Sequence, residues 1–164
     1  MHVHFTYSVL LLLAGAAVHI ARLPDRTPAR GAEVLLRYLL VGYCGVPMLA
    51  VSVWALLSPV VVARMFDVGA AGPLLGFFGY AYLGMSLVAV LTIWYGGTFL
   101  AAATILWAVY LGGATVVHLT QFGHPSVGGA VEIVVSHGLI AVLLVTTSIV
   151  SGAWRRMERD RLLS

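Results

Sequence analysis

Five long apolar runs, separated by short polar or glycine- and proline-rich stretches, set the pattern of this chain. They cover about residues 5–21, 34–57, 73–95, 98–119 and 129–153. Each has the roughly 17–25 residues that a helix needs to cross a hydrocarbon core about 30 Å thick. Between the first two runs, Pro24, Asp25, Pro28 and Gly31 mark a polar turn. Ser58-Pro59 breaks the second run, because a residue before proline is pushed out of the helical region. The semi-polar stretch 60–72 is too short to span and predicts an interfacial or re-entrant segment. Gly96-Gly97 predicts a tight turn, and His124-Pro125 lies in the loop before the last run. The expected fold is all-α: one domain over residues 1–164, a polytopic bundle of five transmembrane helices.

Composition supports that architecture. Hydrophobic residues make up 61% of the chain and charged residues 9%, against about 25% charge in ordinary globular domains. Between Tyr38 and Trp154 the formal charges are Arg64, Asp67 and Glu132. The net charge of +3 comes from nine arginines. They flank apolar spans, so they predict membrane orientation rather than nucleic-acid binding. The single cysteine, Cys44, lies within a span and reads as a small buried hydrophobe.

No Lys or Arg precedes the first run, whereas Arg22, Arg26 and Arg30 follow it. This order predicts an uncleaved first span with the N-terminus outside. The first linker, the Gly96-Gly97 turn and the tail 154–164 are then cytoplasmic. Eight of the nine arginines fall on that side, and only Arg64 falls outside. The expected location is the cytoplasmic membrane, with lipid as the surrounding partner. Ala101, Thr104, Ala108, Gly112 and Thr115 share a face of the fourth span, and His137, Ala141, Ser148 and Gly152 a stripe on the fifth. With the Gly72/Gly76 pair, these small residues predict close helix approach.

The topology sorts the polar residues by side. His2, His4, His118, His124, His137, Asp67 and Glu132 fall in the outer half, and His19 at the inner end. Glu132 sits about one turn inside the fifth span, where a carboxylate needs a partner, a wet cavity or a proton. His118 ends the fourth span, within about 40° of its small-residue face. The short connecting loop makes the fourth and fifth spans expected neighbours, so His118 and Glu132 can meet and Asp67 can join them. That set, with His124 nearby, suits a polar ligand head or a divalent metal held by His118, Glu132 and Asp67. A structural hydrogen bond between two helix ends accounts for the same residues and is the simpler reading, because interfacial His–carboxylate contacts need no ligand. His137 lies roughly 140° around the helix from Glu132 and about 7.5 Å deeper, which suits packing. His2 and His4 form a His-x-His arm at the terminus. No two histidines lie at matched depth on facing spans, which argues against a b-type haem. Glu33 and Arg37, at i and i+4, predict a local ion pair. Among the common catalytic signatures, no zinc-protease helix, Gly-x-Ser-x-Gly elbow or phosphate loop occurs.

Several short motifs stand together: Arg30-x-x-Glu33 followed by Tyr38 and Val41-Gly42; Ser58-Pro59 with Asp67-Val68-Gly69; Gly113-Ala114 with His118; Pro125-x-x-x-Gly129; and Glu132-Ile133. In these the chain resembles a family of small bacterial polytopic membrane domains of unknown function, over about residues 30–133. The resemblance implies that Asp67, His118 and Glu132 occupy motif positions. Two departures stand out. The acid after Ser-Pro comes about a turn late, past Arg64, and residues 46–53 lack the Gly-His often found in the second span.

The leading expectation is a non-enzymatic membrane protein. It binds lipid or a small molecule, or serves as a subunit of a homo-oligomer or membrane complex, with an outer pocket lined by His118, Glu132, Asp67 and His124. The alternatives are a metal-dependent membrane enzyme using the same residues and a small oligomeric transporter or channel. An odd span count and the lack of internal repeats count against transport.

Overall fold

The structure is a computed structural model. It describes the backbone of residues 2–65, 72–120 and 130–154, and the side chains of residues 9–63, 76–120 and 134–154. Every regular element among them is helical: α1 (His2–Ala21), α2 (Pro28–Tyr38), a π-helical segment (Leu39–Gly45), α3 (Val46–Leu57), α4 (Pro59–Met65), α5 (Gly72–Leu91), α6 (Thr98–Thr120) and α7 (Ala130–Val150). Two continuous helices, Pro28–Leu57 and Thr98–Thr120, with 30 and 23 residues, are long and apolar enough to cross a membrane.

Local chemistry fixes the boundaries. The second helix starts six residues before the apolar run, at Pro28 rather than Val34. The Thr27 hydroxyl accepts the Arg30 N–H at 3.4 Å, and Pro28 takes the first helical position. Ser58 leaves the helical region (φ −144°, ψ 65°) and Pro59 restarts the chain as α4, so the Ser-Pro break lies where expected. α5 stops at Leu91, earlier than its apolar run. Gly97 supplies the left-handed residue (φ 57°) of the following turn, and Gly152 (φ 71°) lies in the same region just beyond the end of α7.

The π-helical segment is not visible in the apolar pattern. Val46 N–H reaches back five residues to the Val41 carbonyl. Pro47 has no N–H, and its ring crowds the carbonyl four residues back, that of Tyr43. The widened turns just upstream are where the helix absorbs that disruption. Glycines let this segment pack tightly: a Cβ on Gly45 would sit 3.0 Å from Val90 Cγ2 of α5, and one on Gly42 would collide with the Leu12 side chain of α1.

α6 and α7 form the most extensive helix pair, as their short connection implies. α3 packs on α5, and α2 on both α1 and α7. The core lies where α2, the π-helical segment, α5, α6 and α7 meet, around Leu36, Leu39, Leu40, Cys44, Trp107 and Leu144. Close approach does not follow the small-residue pattern throughout. A Cβ on Gly76 or Gly112 would meet nothing within 4 Å, whereas one on Gly79 would touch Leu56 at 3.1 Å and one on Gly138 would touch Thr115 at 3.4 Å. A glycine has no side chain to reveal its face, so spacing alone misassigned Gly76 and Gly112.

Polarity is segregated. The charged side chains among those described are Arg22, Asp25, Arg26, Arg30, Glu33 and Arg37, all near the α1–α2 turn. Arg37 donates to the Thr92 and Ile93 carbonyls just past α5, so the α5–α6 turn lies at the same end. Elsewhere the perimeter is apolar: Leu11, Leu57, Phe77, Tyr80, Val109 and Val142 are all more than 60% exposed. Inside the helices, the Ser52, Ser86, Thr104, Thr115 and Thr147 hydroxyls donate to carbonyls one turn back, which satisfies them without water.

Candidate functional site

The end of the bundle opposite the charges carries two of the residues expected to form the site, His118 and the backbone of Glu132. His118 sits in the last turn of α6, and Glu132 is the third residue of α7. These helices pack together, so the two backbones share one end of one helix pair. His118 is half-buried; its Nδ1 is shielded from solvent and makes no hydrogen bond among the described residues. The Glu132 side chain, Asp67 and His124 lie outside the described residues, as do the His2 and His4 side chains. Among the described residues, no three His, Cys, Asp or Glu side chains converge in a way that could hold a metal ion.

The charged end is built in more detail. Glu33 is buried and accepts from Arg37 Nη2 at 3.0 Å. Arg30 Nη1 approaches the same carboxylate oxygen at 3.4 Å. Arg37 Nη1 donates to the Thr92 carbonyl and, at 3.1 Å, to the Ile93 carbonyl. The expected local ion pair exists, and it is also a tie between helices. A cation placed on carbonyls at the end of α5 complements that helix's dipole. This bond gives a donor to carbonyls left without a helical partner just past Leu91. The His19 ring meets Tyr38 edge-on, with centroids 5.8 Å apart. Together His19, Arg30, Glu33, Arg37, Ile93 and Trp94 line a half-open groove of about 300 Å³.

Between the two ends runs a band of polar aromatic residues. The Tyr82 and Tyr110 hydroxyls are 2.8 Å apart and join α5 to α6. The Trp107 indole donates to the Met85 carbonyl at 3.2 Å across the same pair. α5 and α6 touch little otherwise, so these hydrogen bonds carry much of their connection. Tyr43 of the π-helical segment meets His137 of α7 edge-on at 6.3 Å, and Ser136 Oγ lies 3.3 Å from His137 Nδ1. His137 thus belongs to interhelical packing, as its depth and angle suggest. The tyrosines escaped sequence reasoning, although four Tyr and Trp residues at mid-span (Tyr43, Tyr82, Trp107, Tyr110) were a usable signal. A buried hydroxyl or indole N–H needs a partner.

No curated protein and no solved structure matches the chain. The model of a family of unknown function, DUF6790, matches residues 2–153, beyond the motif stretch 30–133 at both ends. The chain therefore belongs to that family of unknown function.

Proposed function

We propose that this chain is a multi-pass protein of the cytoplasmic membrane with five spans, its N-terminus outside and its C-terminus in the cytoplasm. It acts there as a non-enzymatic binding protein for lipid or a small molecule, or as a subunit of a membrane complex. The observation that carries the membrane reading is the apolar perimeter: large exposed hydrophobic side chains on α1, α3, α5, α6 and α7, with the described charges gathered at one end. Soluble monomers rarely expose such continuous apolar surface. α1, α5 and α7 have 20, 20 and 21 residues, or about 30 Å each, which suits three further spans. The arginine-rich end suits the cytoplasmic side. Trp94 and Tyr95 are exposed beside it and Trp54 near the other end, at depths where interfacial aromatics reside.

The binding pocket in this reading lies at the outer leaflet and uses His118, Glu132 and Asp67, with His124 at its rim. The buried, unbonded Nδ1 of His118 also favours a second reading, a divalent metal ligated by His118, Glu132 and Asp67 in a metal-dependent enzyme. Two measurements test these readings. The protein should stay in the membrane pellet through alkaline carbonate extraction, and release into the supernatant would refute the membrane assignment. Elemental analysis of protein purified in mild detergent separates binding protein from enzyme. The binding reading expects substoichiometric metal in wild type and His118→Ala alike. About one ion per chain, lost in His118→Ala, would establish the metal site instead.

A further inference from the structure

We infer that the groove at the charged end binds the phosphodiester headgroup of an anionic phospholipid of the cytoplasmic leaflet. This rests on the membrane reading above. The groove joins two unlike walls. One is cationic: Arg30 and Arg37 outweigh the single carboxylate of Glu33. The other is apolar and outward-facing: Ile93 and Trp94 are 49% and 68% exposed.

The two arginines differ in what they have left to give. Arg37 spends Nη1 on the Thr92 and Ile93 carbonyls and Nη2 on Glu33. Among the described residues the Arg30 side chain makes only the longer 3.4 Å contact to Glu33, and it is 52% exposed. Its guanidinium therefore offers donors to an incoming phosphate in the planar geometry that suits two oxygens. A monoanionic phosphodiester would balance the excess positive charge. The volume of about 300 Å³ fits a glycerophosphate head rather than acyl chains. The chains would leave past Trp94 along the exposed Leu91 and Leu87 of α5. An indole at headgroup depth suits that exit.

The test uses full-length protein in nanodiscs containing both phosphatidylglycerol and phosphatidylcholine, with lipids retained after extraction counted by native mass spectrometry. Inorganic phosphate is titrated separately by calorimetry. Wild type should retain phosphatidylglycerol preferentially. Arg30→Gln should lower that preference about tenfold or more, the effect of losing a charge-assisted hydrogen bond to the phosphate. Trp94→Ala should also lower it, through the apolar wall. Arg26→Gln, which removes a charge at the same end but outside the groove lining, should change it no more than about fivefold, the generic effect of one arginine near an anionic surface. Equal retention of the two lipids, or an Arg26→Gln loss matching that of Arg30→Gln, would overturn the inference. Binding of inorganic phosphate without a lipid preference would overturn the lipid source and leave an anion site. Carbonate extraction keeps the failures apart: a chain released from membranes ends both readings, and an embedded chain without preference ends this one alone.

Discussion

Replacing Arg37 with alanine should destabilise the protein by about 3 kcal/mol, because it takes the nearest cation from a buried carboxylate and the donor from two carbonyls. Glu33 would lose its 3.0 Å partner, and the Thr92 and Ile93 carbonyls would lose their donor. Arg37→Lys should fall between, since a single ammonium cannot serve a carboxylate and two carbonyls in the same planar arrangement. Combining Arg37→Ala with Glu33→Gln should recover about 1 kcal/mol or more, because the buried charge is removed together with its 3.0 Å partner. Unfolding of the purified variants by sodium dodecyl sulfate, followed by circular dichroism, measures all three. A loss below about 1 kcal/mol for Arg37→Ala would mean that the pair is a surface contact worth little.

Trp107→Ala should be the most damaging core substitution, at about 3–5 kcal/mol. Trp107 is fully buried and is the largest such side chain among the described residues. Its ring meets Tyr110 edge-on at 5.6 Å, and its N–H bonds Met85 across α5 and α6. Truncation leaves a cavity in the core and removes one of the hydrogen bonds that join a sparsely packed pair. Trp107→Phe keeps most of the ring and loses the bond, so it should cost about 1 kcal/mol. The same unfolding assay checks both. Comparable losses for Phe and Ala would assign the stabilisation to the hydrogen bond rather than to packing.

The features legible in the sequence are those with local causes. Ser58-Pro59 breaks the helix because of proline sterics, and the turn after α5 carries its left-handed residue at Gly97. The α6–α7 pairing follows from a short connection, and the Glu33–Arg37 pair from i, i+4 spacing. Features with distant causes were not legible. Arg37 also bonds carbonyls 55 and 56 residues away, which no local pattern encodes. The π-helical segment is apolar like any buried helix, and only Pro47 hinted at it. The start of α2 was hidden because Thr27-Pro28 caps a stretch that composition assigns to a turn.

For the candidate site, the sequence indicated which residues to examine and which helices carry two of them. His118 and Glu132 do lie on packed helices at one end. The position of the His118 Nδ1, buried and without a bond, needed the structure. The groove at the opposite end was passed over because Glu33–Arg37 looked complete as a pair. Its second wall, Ile93 and Trp94, comes from the turn just past α5, distant in sequence from α2.

The central claim is that the charged end faces the cytoplasm and the His118–Glu132 end faces outward. Site-directed cysteine labelling tests it most directly. With the buried Cys44 replaced by serine, cysteines are placed singly at Asp25, in the α1–α2 turn, and at His124, between α6 and α7. In intact cells a membrane-impermeant maleimide should label His124→Cys at once and Asp25→Cys only after permeabilisation. Labelling of both from the same side, or the reverse order, would contradict the topology and remove the outer-leaflet site with it.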